Sequence, residues 1–431
     1  MIHEQLFTVS SQQLPITNQV DVLVLGGGVA GFGAAYSASR MGAKTLMLEL
    51  SSCVGGMSTT GMMSHFTGSV ESRLFDTLLQ NMAMRNEGNY SNMKTPIIDP
   101  EQLKQIYIEM LEQSGAELLL YTRACEPIME GNTIKGVIIE NKSGRQVILA
   151  KIVIDATGDG DIAAKAGGDF YLGREDDKKM QPATLMFKVG GVDKTKAALP
   201  GSFETKVPTP KGELQALASK LLPYPAGHVL LYDTTLPGII TCNMTNAINI
   251  DGTNAASLTE SEKICRMQIP DIISFLREYV PGFERCFLVS TAAMMGIRET
   301  RHFKGLYTLT ESDILQKIVF DDWIVRGACF NFDVHNLTGA SLDETGVQEK
   351  FPPNTRYTIP YRCLIIKNVS GLLLAGRNIS GTHMAHSNFR AMPICLALGE
   401  GAGVAAALAV KSNCTLMEVD VTQVQKALLS L

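Results

Sequence analysis

The chain has 431 residues but only one tryptophan, and aromatic residues make up 6% of it. Its core must therefore be built mainly from aliphatic side chains, with 39 glycines allowing close backbone approach. Basic residues are not in excess: 38 Lys and Arg stand against 43 Asp and Glu, a net charge of −5. This excludes the basic footprint of a nucleic-acid binder. The nine cysteines form no CxxC pair, which argues against a disulfide framework, a zinc site or an iron–sulfur site. No metal is expected. The first 19 residues lack a basic region followed by an apolar one, and they read as a polar arm or edge strand rather than a signal peptide. No apolar stretch is read as approaching the length of a membrane span. Repeats and low-complexity tracts are missing as well. These absences predict a cytoplasmic protein with a small-molecule substrate. They name no electron donor or acceptor and leave self-association as a homo-oligomer open.

What is present begins at residues 20–49. An apolar run at 20–25 ends in Gly26, Gly27, Gly28, Val29, Ala30 and Gly31. A helix-like segment and a second apolar run follow, closed by Glu49. This is a strand, glycine turn, helix and parallel strand, the first unit of a dinucleotide-binding domain. Gly26 permits the turn, Gly28 lets the backbone approach a pyrophosphate, and Gly31 lets the helix pack closely. The helix N-terminus, including Ala30, offers free N–H groups and a positive dipole end. Glu49 falls where a carboxylate accepts hydrogen bonds from ribose, about 20 residues beyond the turn.

Further along, Gly55, Gly56, Met57 and Ser58 form a loop able to pass close to a ligand. Asp99, Pro100 and Gln102 predict a helix start, and Gly115 its end. Residues 118–121 read as a buried strand. Runs at 133–140 and 146–150 predict a hairpin or meander, with a separate buried strand at 151–157. Gly158, Gly160 and Ala163 loosely match a second phosphate loop. Asp159 and Asp161 would stand where the pyrophosphate charge belongs, so this is read instead as a strand end beside the first nucleotide. Residues 170–368 change character and are expected as an inserted domain. A helix is predicted from Thr259, with Glu262 completing a capping box and Pro270 kinking or dividing it. Residues 379–392 read as a polar loop holding His383, His386 and Arg390. Pro393 opens a strongly apolar helix.

In this order, the GGGVAG turn, Glu49, Gly55 and Gly56, the strand end Ala156, Thr157 and Gly158, and the late Ala375 and Gly376 resemble the FAD-dependent oxidoreductases of the glutathione-reductase-like flavoprotein superfamily. The chain looks most similar to a bacterial group distantly related to the flavoprotein subunits of fumarate reductase and succinate dehydrogenase. The resemblance covers roughly residues 21–168 and 369–410. It implies an α/β protein: a Rossmann-like FAD-binding domain with a β-meander, made of residues 1–169 and 369–431, plus an inserted α+β substrate or cap domain at 170–368. It further implies that Glu49 holds the adenosine ribose, that the backbone near Ala124 meets adenine, and that the loop from Gly55 to Ser58 runs along the flavin. Thr157 and Gly158 would lie beside ribose or phosphate. Gly376 and Met392 would complete the site. One departure is Arg377, where many members carry an acid.

The expected chemistry is hydride transfer between flavin N5 and a small hydroxylated or carboxylated metabolite, with C=C reduction as the alternative. A redox-silent nucleotide- or partner-binding protein of this fold is a third reading. By the resemblance, His386 and Arg390 hold a substrate carboxylate. His383 or His386 would serve as acid or base in either direction. Arg298 and Arg301 either bind an anionic group in the cavity or form structural ion pairs. His65 and Cys53 are weaker candidates.

Overall fold

The fold, given by a computed structural model, is described for residues 11–85, 96–339 and 355–430, with the backbone alone of Val347–Glu349. Residues 1–10 of the expected arm lie outside the described residues. Strand β1 (Ile16–Leu25) takes up the last four residues of that arm and the apolar run. Val22, Leu23, Val24 and Leu25 are buried on both faces, as a central parallel strand requires. Helix α1 (Val29–Arg40) and strand β2 (Thr45–Leu48) follow. Helix α2 (Pro100–Ser114) starts at Asp99, whose carboxylate accepts from the N–H groups of Glu101 and Gln102, and ends at Gly115 in the left-handed region. Next come β3 (Glu117–Leu119), β4 (Arg123–Glu130), β5 (Thr133–Asn141) and β6 (Gly144–Asp155). Strand β7 (Leu372–Leu374) joins from late in the chain. The parallel part runs β3-β2-β1-β6-β7. This is the order of a doubly wound nucleotide-binding sheet. The antiparallel meander β6-β5-β4 extends the same sheet.

Several expectations change. The run at 146–150 and the strand at 151–157 are one strand, β6. Nothing at Ala150 or Lys151 breaks it, because Lys151 points outward and pairs with Asp21 at 2.7 Å. The long helix α3 (Ala255–Tyr279) begins four residues before Thr259. Asn254 caps it, and the Thr259 hydroxyl bonds back to the Ala255 carbonyl from inside the helix. Pro270 lies within α3 without dividing it. The predicted polar loop holds helix α4 (His383–Phe389), capped by Thr382, whose hydroxyl accepts from the Ala385 N–H. Its polar residues face buried partners, which a reading based on solvation misses.

Helix α5 (Met392–Ser412) then runs through the core. By length and composition it is apolar enough to cross a membrane, contrary to expectation, but 89% of its most apolar window is buried inside the protein. Much of that burial is against α1. A side chain added at Gly399 would stand 1.9 Å from the Ala30 carbonyl oxygen, and one at Gly403 would stand 2.2 Å from that of Ala34. The two backbones meet where only hydrogen fits.

Buried apolar residues form two clusters. One spans the main sheet, α1, α2 and α5, and also takes in Phe303, Ile324, Val325, Tyr357 and Ile366. The other draws on residues from Met180 to Met295. Residues 170–368, expected as one insertion, are thus shared between them. The strand Trp323–Cys329 pairs with Ser69–Glu71 and Tyr357–Pro360, which holds the later part of that segment to the main core.

Candidate active site

The turn after β1 shows why each glycine stands where it does. Gly26 has a φ of +92°, and a Cβ there would lie 2.6 Å from the Ala156 carbonyl oxygen. A Cβ on Gly31 would lie 1.8 Å from the Gly26 carbonyl oxygen, so its glycine serves the strand end rather than the sheet face. Gly28 differs. A Cβ built on it meets nothing within 4 Å. Open space therefore faces the start of α1, whose first turn has no side-chain cap. Free N–H groups and the dipole end face that space, a fitting cradle for a pyrophosphate.

Other predicted segments converge on this turn. The Gly55 N–H donates to the Gly27 carbonyl at 2.7 Å, and a Cβ on Gly56 would come within 3.1 Å of the Gly28 Cα. The Glu49 carboxylate accepts from the N–H groups of Gly27 and Ser51, both at 2.6 Å, which holds it beside the turn with lone pairs to spare. The Thr122 N–H bonds the Glu49 carbonyl, which brings Ala124, at the start of edge strand β4, toward the same end of the sheet. A Cβ on Gly376 would be 3.0 Å from that of Ala30. Ser58 spends its side chain internally, on the Gly55 carbonyl and the Tyr107 hydroxyl. Thr157 donates to Asp155, which also accepts from the N–H groups of Ile162 and Ala163. Gly158 abuts Arg377, whose guanidinium pairs with Asp159 at 2.6 Å. These residues fit FAD at its phosphate and ribose end.

Between the two hydrophobic clusters lies a cavity of about 310 Å³. Met57 and Met392 line it from the nucleotide-binding side. Arg298, Arg377 and Arg390 bring positive charge, and Asp333, His65 and His335 are among its other polar lining residues. Arg390 donates to the carboxylate and carbonyl of Asp333, both at 2.8 Å, while its Nε is buried without a partner. Arg298 donates to the Pro182 carbonyl and the Thr184 hydroxyl. No carboxylate among the described residues forms an ion pair with it. Burial, and then the nearby Arg390, pull its guanidinium down to about 10, still protonated at neutral pH. Burial lowers His65 to about 4, and burial with the Arg298 charge lowers His335 to about 4, so both imidazoles are neutral. Among the described residues, the cavity is thus lined by three guanidinium groups and one carboxylate, that of Asp333.

His383 and His386 are not among the cavity's lining residues. They belong to a buried group behind its wall. His383 Nδ1 lies 2.6 Å and His302 Nε2 lies 2.8 Å from the same Glu299 oxygen. Burial would raise the Glu299 carboxyl, but its contacts with these two imidazoles hold it well below the usual range. His386 packs its ring against His302 and Phe389, and burial keeps it neutral. Arg301 donates to the Asp159 carbonyl and pairs with Asp161 at 2.9 Å, so it is a structural ion pair. Asp333 and His335 reach the cavity without any local sequence signal. Cys53 is buried, and none of the described cysteines is disulfide-bonded.

A family model described as FAD dependent oxidoreductase matches residues 21–428. The digeranylgeranylglycerophospholipid reductase of Sulfolobus acidocaldarius is 27% identical over 157 residues, 32% of this chain and 34% of that protein. Digeranylgeranylglycerophospholipid reductase 2 of Methanothermobacter thermautotrophicus is 29% identical over 192 residues, 40% of this chain and 47% of that protein. The match thus spans less than half the length of either relative. Among solved structures, p-nitrophenol 4-monooxygenase PnpA from Pseudomonas putida DLL-E4 shares the fold, with a TM-score of 0.51 at 10% identity over 96% of this chain and 84% of that one.

Proposed function

The chain belongs to the FAD-dependent oxidoreductase family, and from that premise we propose that its substrate is a small polar metabolite bearing a carboxylate or similar anionic group. The observation that carries this reading is the cavity at Met57 and Met392, with Arg298, which forms no ion pair with a carboxylate among the described residues, beside Arg390 in its wall. Bound FAD supplies a two-electron hydride donor or acceptor. Arg298 and Arg390 hold the substrate's anionic group and so fix which carbon faces the cofactor side, where reacting atoms must approach to about 3–3.5 Å. The neutral imidazoles of His65 and His335 accept or return the substrate proton. His383 and His386 act from behind the wall, through the position of α4 and hence of Arg390. The cavity volume stands at the lower end of the usual range of roughly 300–1,000 Å³ for ligand pockets, which favours a small metabolite.

The reductase names of the curated relatives favour the reducing direction, and the second reading is reduction of an activated C=C bond. Anaerobic titration of the purified flavoprotein separates the two. Bleaching of the visible flavin absorbance by a hydroxylated or carboxylated donor supports oxidation. Reoxidation of the photoreduced protein by an enoate supports reduction. If neither small anionic donors nor enoates change the spectrum, the substrate class is wrong.

A further inference from the structure

Glu299, His302 and His386, behind the cavity wall, each offer one ligand-type atom, and these atoms all lie within 4.8 Å of one another. All three residues are buried. Geometry fixes the His302 ring: Nδ1 lies 3.0 Å from the Gly381 carbonyl oxygen, which can only accept, so Nδ1 carries a proton. Nε2 then points at the Glu299 carboxylate, 2.8 Å away. In a neutral ring this sets a nitrogen lone pair against an oxygen lone pair, and a positive charge has to lie between them. A proton would satisfy that contact. It would still leave Nδ1 of His386 buried with no partner. A metal ion engages all three residues.

We propose that Glu299, His302 and His386 form a site for a divalent transition-metal ion of the zinc class, which ties α4 to residues 299–302. Two imidazoles and a carboxylate are a zinc donor set, with bonds of about 2.0–2.2 Å. Donor atoms on a tetrahedral ion with such bonds stand about 3.3–3.6 Å apart, so the contact between Glu299 and His302 opens by about half an ångström or more and the His386 ring closes toward both to admit the ion. The surroundings are those that orient metal ligands. The far N–H of His302 rests on a backbone carbonyl. Glu299 is held by His383 Nδ1 and by the Gln181 N–H at 3.0 Å. The guanidinium charges of Arg390 and Arg377 reach His386 and oppose the ion, and the Glu299 charge offsets them.

The test uses the full-length flavoprotein with Zn²⁺ alone as probe. Protein stripped with a chelator is dialysed against Zn²⁺, desalted, and assayed for metal by mass spectrometry and for thermal midpoint. The expected result is one retained Zn²⁺ per chain and a raised midpoint, because an ion that binds only the folded state stabilises it. His386→Ala should abolish both effects while flavin content stays at the wild-type level. The side chain of His386 makes no hydrogen bond among those of the described residues, so this variant is expected to fold even where His302→Ala is not. Wild-type protein that retains no stoichiometric Zn²⁺, or His386→Ala protein that retains it in full, overturns the proposal.

Discussion

Gly28→Val should remove the cofactor and leave the fold almost untouched. The residue has a φ of −63° and a ψ of −179°, which any L-residue adopts, and a Cβ there meets nothing within 4 Å. Replacing glycine at a compatible site stabilises by about 0.4–1 kcal/mol through the unfolded chain. Loss of glycine from the helix N-cap costs a similar amount, a few tenths to about 1 kcal/mol. The two effects nearly cancel. FAD is affected differently, because the new side chain stands in the space its pyrophosphate needs. A loss of at least about 100-fold in affinity, about 2.8 kcal/mol, is expected. The control is Gly31→Ala, whose Cβ would sit 1.8 Å from the Gly26 carbonyl oxygen and must move the backbone. Flavin per chain after gel filtration, read beside the thermal midpoint of the flavin-free protein, separates the two effects. Gly28→Val protein with wild-type flavin content, or with a midpoint lowered as far as in Gly31→Ala, would refute the placement of the phosphate at this turn.

Gly399→Ala should destabilise by about 1–3 kcal/mol, the usual range for overpacking, because its Cβ would fall 1.9 Å from the Ala30 carbonyl oxygen; urea midpoints measure this. Arg298→Ala should raise KM for an anionic substrate with flavin content unchanged, and steady-state kinetics with matched anionic and neutral substrates should show the loss only for the anion. His65 and His335 have folded pKa values of about 4, below the ordinary 6.5. The unfolded chain then binds more protons in that window, so their contribution to stability is present above 6.5 and is lost as pH falls toward 4. Replacing His335 by Asn should flatten the acid side of a denaturation-midpoint profile. Burial raises the Glu400 carboxyl from 4.5 to about 7, with a hydrogen bond from the Ser72 hydroxyl opposing the shift. Here the folded state binds more protons, so stability falls as pH rises through that window. Glu400→Gln should raise the unfolding free energy above neutral pH by an amount on the order of 1–3 kcal/mol, read from urea denaturation.

The nucleotide half of the fold was legible because its signals are local. The apolar run of β1, the glycine turn and the cap at Asp99 each act within a few residues, and the structure forms the strand, the turn and the capped helix there, with Glu49 held beside the turn. The pattern failed where a partner comes from far along the chain. α4 was read as a loop because His383, His386, Ser387 and Asn388 look solvated. Instead His383 meets Glu299, and Asn388 accepts from the Tyr357 hydroxyl at 2.6 Å. Once paired, those polar groups can be buried in a helix with little penalty. The same reasoning explains why Asp333 and His335 were missed.

The segment from Arg298 to Arg301 shows how these distant pieces are joined. Arg298 lines the cavity. Glu299 reaches back to His302 and His383. The Thr300 hydroxyl and Arg301 both grip Asp159 at the end of the nucleotide sheet. Asp159 in turn holds Arg377, which returns to the cavity wall. Four consecutive residues thus connect the cavity, α4 and the strand end beside the cofactor cradle. Asp159 and Asp161, which speak against a second phosphate loop, are matched by Arg377 and Arg301. Their charge is spent on holding the cavity wall against the sheet. A shift of this segment would therefore move Arg298, Arg377 and, through His383, α4 with Arg390 together, so the placement of the three cavity guanidinium groups, and with it any grip on the proposed anionic substrate, is set by buried contacts outside the cavity as much as by the residues that line it.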